Sequence, residues 1–312
     1  MASGIVFIGS KALGQSALGA VHSVAGDRLT AAITHDDRDD TRSALRDFEM
    51  FCGETGVPLR VLAGHAELLA VVDELQPELC IVVGWYWILR KPLLDRVPRG
   101  IVGVHGSLLP KHRGGAPLVW AIFNGETESG VSLFHFDEGM DTGDVVGQGR
   151  FAIGPDETIA DILAKVEGLA IGLLRDNVLP LLSGTAPRSP QDHSQATYCS
   201  LRRPEDGLIR WTDTGQSIYN AIRAQTRPYP GAFTHLEDGR CVRLWGAERF
   251  PSEYLGVPGL VAQTDGPNAI VTCGQGAVVL KRIQVDGGRE TNAAEILKSG
   301  MRLGRPASEA CR

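Results

Sequence analysis

Short apolar runs alternate with helical periods over the first 180 residues of this chain. Ile5–Ile8 is a run of four apolar residues stopped by Gly9, which predicts a buried strand. A helical pattern follows from Ala12 to Val21. Leu45, Phe48 and Phe51 recur at helical spacing, and Gly53 and Gly56 end that helix. Pro58–Leu62 reads as a strand and Glu67–Leu75 as a helix stopped by Pro77. Leu79–Val83, Ile101–Val104 and Val131–Phe136 read as strands. From Thr158 to Leu182 the positions Ile159, Ile162, Leu163, Val166, Leu169, Leu173 and Leu174 keep a helical period. Continuous apolar strands separated by helices predict an α/β fold, a Rossmann-like parallel sheet covered on both faces. Ligands of such sheets bind where the strands' carboxyl ends open.

Beyond that helix the pattern changes. Residues 184–205, GTAPRSPQDHSQATYCSLRRPE, are polar and interrupted by prolines, as a linker is. Val242–Trp245, Leu260–Ala262, Ala269–Thr272 and Ala277–Ile283 are short apolar runs divided by turn residues, which predict a small β-rich domain or barrel. The expected division is a catalytic domain over 1–185, a linker over 186–205 and a second domain over 206–312. The tail from Met301 shows no pattern and is expected to fray.

Composition changes little in this picture: 43% hydrophobic and 22% charged residues suit a globular protein. No apolar run reaches the roughly 18 residues that span a bilayer. The N-terminal MASGIVFIGS lacks the positive region of a signal peptide. The expected location is cytoplasmic, without a membrane partner, and oligomeric state is not legible. Six cysteines show no Cys-x-x-Cys spacing and read as reduced thiols. The net charge of −6, with no basic run, argues against tRNA and for a small amine as partner.

Three segments are candidates for chemistry. Gly9-Ser-Lys-Ala-Leu-Gly14-Gln15 is one residue from a phosphate-binding loop, but Gln15 stands where the lysine belongs. It also lacks the dinucleotide fingerprint, so it reads as a tight strand–helix turn. Gly84-Trp-Tyr-Trp-Ile-Leu89 follows a strand and offers aromatic faces and backbone amides to a flat heterocycle, or else packs beneath the sheet. His105 ends the strand Ile101–Val104. The acidic turn Asp137-Glu-Gly-Met-Asp141-Thr-Gly-Asp144 lies some thirty residues on. A histidine at a strand end with a carboxylate brought to it suits a general base that the anion orients and makes more basic. His112 is expected on a solvated loop. A zinc site made of His105, His112 and His135 lacks any paired spacing, and no metal is expected.

The order of these motifs resembles the formyltransferases that use 10-formyltetrahydrofolate. Their pattern is Asn-x-His-x-Ser-Leu-Leu-Pro, then Arg-Gly, then Asp-x-Gly. Here it reads Gly103-Val-His105-Gly-Ser-Leu-Leu-Pro110, Arg113-Gly-Gly and Asp141-Thr-Gly. Arg203-Pro-Glu-Asp-Gly-Leu-Ile-Arg-Trp211 and Arg227-Pro-Tyr-Pro-Gly-Ala232 resemble that family's C-terminal OB-like barrel. Within the family of methionyl-tRNA and sugar N-formyltransferases, the chain looks nearest to the domain acting on UDP-4-amino-4-deoxy-L-arabinose.

The resemblance implies 10-formyltetrahydrofolate as co-substrate, His105 as base and Asp141 as its support. It implies a pterin held by Trp87, Ile88 and Leu89 on one side and by Asp137, Glu138, Gly139, Met140 and Asp141 on the other. Gly103 departs from the pattern, for it stands at the Asn that polarises the formyl oxygen. Gly115 stands where the arabinose enzyme carries an Arg. The expected activity is formyl transfer to a small amine, an amino sugar nucleotide or an amino-acid-derived amine. The loss of the Asn leaves two alternatives open. One is transfer of a hydroxymethyl or methylene unit, and the other is a folate-binding homologue that transfers nothing.

Overall fold

The computed structural model describes residues 4–304 of the chain. Its contacts gather into two compact units. One takes the residues up to Pro117, Ser129–Phe151 and Ala164–Cys199. The other takes Leu118–Glu128, Ala152–Leu163 and the described residues from Ser200 on.

In the first unit the strands and helices alternate along the chain. β1 (Ile5–Gly9), α1 (Lys11–Ala25), β2 (Leu29–His35), α2 (Leu45–Thr55), β3 (Leu59–Leu62), α3 (Leu68–Leu75) and β4 (Leu79–Val83) come first. The short α4 (Lys91–Leu94) and β5 (Ile101–His105) follow. Then come β6 (Arg113–Gly114), α5 (Pro117–Phe123), β7 (Glu128–His135), β8 (Val145–Ala152), α6 (Ile159–Ser183) and β9 (Tyr198–Cys199), of which α5 beyond Pro117 and the first turn of α6 fall in the second unit. The large sheet has the order β3-β2-β1-β4-β5-β7-β8. Its first five strands run parallel, while β7 lies antiparallel on β5, with His105 opposite Ser132. The sheet is therefore the parallel α/β sheet expected, made mixed at one side by β7. β8 pairs on the other side of β7, and the nine residues between these two strands hold no helix.

Period-two alternation fills both faces of this sheet. Ile5 and Phe7 of β1, with Leu79, Ile81 and Val83 of β4, enter one core beside Leu174, Val178 and Leu181 of α6. Val6, Ile8, Cys80 and Val82 enter the other, beside Leu68, Val72 and Leu93. Burying both faces is why these strands read as unbroken apolar runs.

In the second unit α7 (Gly215–Gln225) begins at Thr214, whose side chain accepts the Ser217 N–H. β10 (Ala232–His235), β11 (Cys241–Arg249), β12 (Val261–Asp265), β13 (Asn268–Thr272), β14 (Ala277–Val285), β15 (Glu290–Asn292) and α8 (Ala293–Ile296) complete it. The strands pair antiparallel in the order β10-β11-β14-β13-β12, with β15 on β14. Ile218, Ala221 and Ile222 of α7 join Val242, Leu244, Val278 and Leu280 in its core. Met301–Leu303 does not fray: the Val261 N–H donates to Met301 and the Leu303 N–H to Gly259. The tail beyond Gly304, with Cys311, lies outside the described residues.

Candidate functional site

β5 delivers His105 to the carboxyl edge of the large sheet, 8% exposed. Its Nε2 lies 2.8 Å from the backbone oxygen of His112. A carbonyl only accepts, so Nε2 carries a proton, and in the neutral ring Nδ1 holds the lone pair. Nδ1 faces Asp141 Oδ2 at 3.6 Å. That same oxygen accepts the Gly114 N–H at 2.7 Å. Asp141 is held at a φ of 53°, a left-handed conformation that Asp enters more readily than most residues. His112, expected on a solvated loop, thus serves through its backbone. Its ring nitrogen Nδ1 lies 3.1 Å from Cys199 Sγ.

The Ser107-Leu-Leu-Pro110 turn is pinned from β7. Ser132, fully buried, donates its hydroxyl to the Ser107 oxygen at 2.6 Å and accepts the Leu109 N–H at 3.0 Å. Gln148 Nε2 donates to the Leu109 oxygen at 2.9 Å. The turn therefore has one shape, and the backbone after His105 is fixed by it.

Gly103 lies two residues before His105 on the same strand. A Cβ added there would run into the Phe136 ring, with Cζ at 2.9 Å, and into the Val82 oxygen at 3.0 Å. Phe136 fills the space into which any side chain at position 103 would project.

The two segments expected to wall a pterin meet through Lys91, whose Nζ lies 3.1 Å from Glu138 Oε1. On them Tyr86, Ile88 and Met140 are 49%, 76% and 56% exposed, large apolar side chains open to solvent. Leu89 is instead core, and Trp87 packs on His35 and His65 with ring centroids 4.8 and 5.4 Å apart. Asp137 turns its own loop: Oδ1 accepts the Gly139 N–H at 3.0 Å and the Thr142 hydroxyl at 2.5 Å. Gly143 sits so close to the His135 oxygen that no Cβ fits. His35 Nδ1, His65 Nδ1 and Trp85 Nε1 are buried here without a hydrogen-bond partner. Burial pushes the His35 imidazole below its ordinary range, with Asp37 opposing.

Known proteins place this arrangement. A model of the formyl transferase family matches residues 57–176, and one of the formyl transferase C-terminal domain matches residues 202–300. A methionyl-tRNA formyltransferase from Desulforamulus reducens is 32% identical, over 94% of each chain. Another, from Sorangium cellulosum, is 37% identical over 77% of this chain and 78% of its own.

The chain belongs to the formyltransferase family.

Among solved structures, HypX from Aquifex aeolicus superposes with a TM-score of 0.66 at 19% identity, covering 95% of this chain and 47% of its own. An N-formyltransferase from Helicobacter canadensis gives 0.64 at 17% identity, covering 89% and 98%. Both show the same fold. One expectation is overturned: relatives spanning most of the chain are named for methionyl-tRNA, so the argument against tRNA does not hold. The physical reason is that a total charge of −6 averages over two compact units and says nothing of any one surface.

Three contacts were beyond the sequence pattern: the His112 carbonyl on His105, Phe136 against Gly103, and Gln191, His193 and Tyr198 on the Arg113 side chain. No helix of the described residues is long and apolar enough to cross a membrane.

Proposed function

We propose that this formyltransferase takes the formyl group of 10-formyltetrahydrofolate and places it on a primary amine, with His105 receiving the amine's proton. The observation that carries the reading is the placement of His105 between the His112 carbonyl and Asp141. With Nε2 already a donor, Nδ1 is the atom that takes the proton, and Asp141 Oδ2 stands beside it to stabilise the charge formed. The amine nitrogen bonds to the formyl carbon, the bond from that carbon to the folate nitrogen breaks, and the proton that His105 takes from the amine passes on to that nitrogen, releasing tetrahydrofolate. Tyr86, Ile88, Met140 and the backbone around them are the surface that receives the reduced pterin.

The names of the relatives make the amine of methionyl-tRNA the first acceptor to try. An amino sugar nucleotide or an amino-acid-derived amine is the other. The Phe136–Gly103 contact favours one further reading, transfer of a hydroxymethyl or methylene unit, because less negative charge then develops on oxygen. The test offers 10-formyltetrahydrofolate with methionyl-tRNA, with amino sugar nucleotides and with ornithine-type amines. Product mass and tetrahydrofolate release are followed. Formylated product with one acceptor class is expected. No binding of any reduced folate by calorimetry up to millimolar concentration would refute the reading.

A further inference from the structure

We propose that Gln191 is the positioning residue of this site: its single amide fixes the two segments that flank the two nitrogens of His105. The inference concerns His105 geometry, and its bearing on rate rests on the function proposed above.

Gln191 lies in a stretch that reads as a polar connection, yet it is 7% exposed and uses every position of its amide. Oε1 accepts from Arg113 Nε at 3.2 Å and from Nη2 at 2.6 Å. Nε2 donates to the backbone oxygens of Asp141 at 2.9 Å and Gly143 at 2.6 Å. Arg113 is 1% exposed, a cation whose burial demands satisfied hydrogen bonds. Its other side-chain partners are His193 Nδ1 at 3.0 Å and the Tyr198 hydroxyl at 3.3 Å.

The chain positions make this matter. His112, just before Arg113, supplies the carbonyl that takes the His105 Nε2–H. Gly114, just after, supplies the N–H that holds Asp141 Oδ2. The Arg113 side chain and the Asp141 backbone therefore meet on one glutamine. β9 supports it from the same segment. The Arg113 N–H donates to the Thr197 oxygen at 2.9 Å and the Gly115 N–H to the Cys199 oxygen at 3.0 Å. Without the amide donors, the Asp141 loop and the Arg113 loop lose their common anchor. The His112 carbonyl then ceases to hold the ring as the Nε2–H tautomer, and the Asp141 carboxylate no longer stands beside Nδ1 to stabilise the proton that it takes up.

Two variants of the full chain test this. Gln191→Glu keeps an acceptor for Arg113 but sets oxygen against the oxygens of Asp141 and Gly143. Gln191→Met keeps the volume and removes both sets of bonds, and is read in its place if the glutamate variant does not fold. Proton–nitrogen NMR of the His105 ring should show the Nε2–H tautomer in the neutral wild type and a mixture in the variant. With 10-formyltetrahydrofolate and the true acceptor, kcat should fall about 10- to 100-fold, the cost of a small misplacement. KM for the folate should rise less than kcat falls, since Tyr86 and Ile88 of the pterin surface lie on a segment that Gln191 does not touch. A folded variant whose His105 tautomer matches wild type overturns the proposal, as does one with unchanged kcat. The NMR arm needs no substrate. A tautomer shift in a protein that formylates none of the amines tried would therefore uphold the role of Gln191 while removing the proposed reaction.

Discussion

At the scale of single residues, His105 and Gly103 carry opposite lessons. As the proposed base, His105 acts when a proton moves, so His105→Ala should abolish turnover and leave the Kd for a reduced folate within about three-fold. Near-normal kcat in that variant would remove it as the base. Asp141→Asn should lower kcat while preserving the fold. Gly103 is different, because the space beside it is taken by Phe136. Gly103→Asn must displace a ring packed 5.0 Å from Phe134, an overpacking that costs about 1–3 kcal/mol. Activity and melting temperature should both fall. Combining Gly103→Asn with Phe136→Ala makes room for the amide, and the double variant should outperform the Gly103→Asn single in kcat. A rise in kcat for Gly103→Asn alone would mean that the ring yields readily and that the native site merely lacks a donor.

At the scale of elements, the buried ends of β2 and β7 carry histidines that set an acid limit. Burial, helped by Arg188, pushes the His135 imidazole from its usual 6.5 down to about 4, with Asp144 opposing. The unfolded chain therefore binds a proton near pH 6.5 that the folded chain refuses until about pH 4. The sign follows: this stability is fully present above pH 6.5 and is lost as the pH falls towards 4. Replacing His135 with Gln should flatten the fall of melting temperature between pH 7 and pH 4, and a parallel curve would exclude His135 as its source. The same elements show what sequence patterning can see. β4 and β5 were legible because burial on both faces makes them continuous apolar runs. β2, with the sequence LTAAITH, escaped because two alanines and two threonines dilute a strand signal. The antiparallel β7 was visible as a strand but not its direction, which depends on pairing and not on composition. His105 and Asp141 were legible because motif order survives in the chain. Gln191 was not, since a buried amide among exposed polar neighbours looks like a linker until its partners are known.

At the scale of the whole molecule, the change from helical periods to short strands marks two bodies, but the chain passes between them more than once. Leu118–Glu128 and Ala152–Leu163 belong to the second unit although their neighbours belong to the first. No periodicity signals that exchange, because each segment is locally consistent with either body. The stretch 186–205 shows the consequence. As a polar linker it would be cut anywhere by a protease. In the structure its side chains are mostly exposed, but much of its backbone from Ser189 to Cys199 pairs with strands and loops of the first unit, whereas 200–206 bonds mainly to side chains and within itself. Ser189 exchanges hydrogen bonds with Val145, Thr197 donates to Pro110, and β9 pairs with β6. A protease needs extended backbone, so accessibility is decided by these bonds and not by side-chain exposure. Cutting within the described residues should therefore begin at 200–206, where Leu201 is 75% exposed, and only later at 189–199. Mass spectrometry of the earliest fragments reads this directly. Reduced folate at 100 times its Kd adds about 2.7 kcal/mol to the unit that binds it. It should slow cuts at 189–199, which require the first unit to open, and leave the 200–206 cut unchanged. Earliest cleavage inside 189–199, indifferent to folate, would mean that the segment holding Gln191 is not anchored to the site.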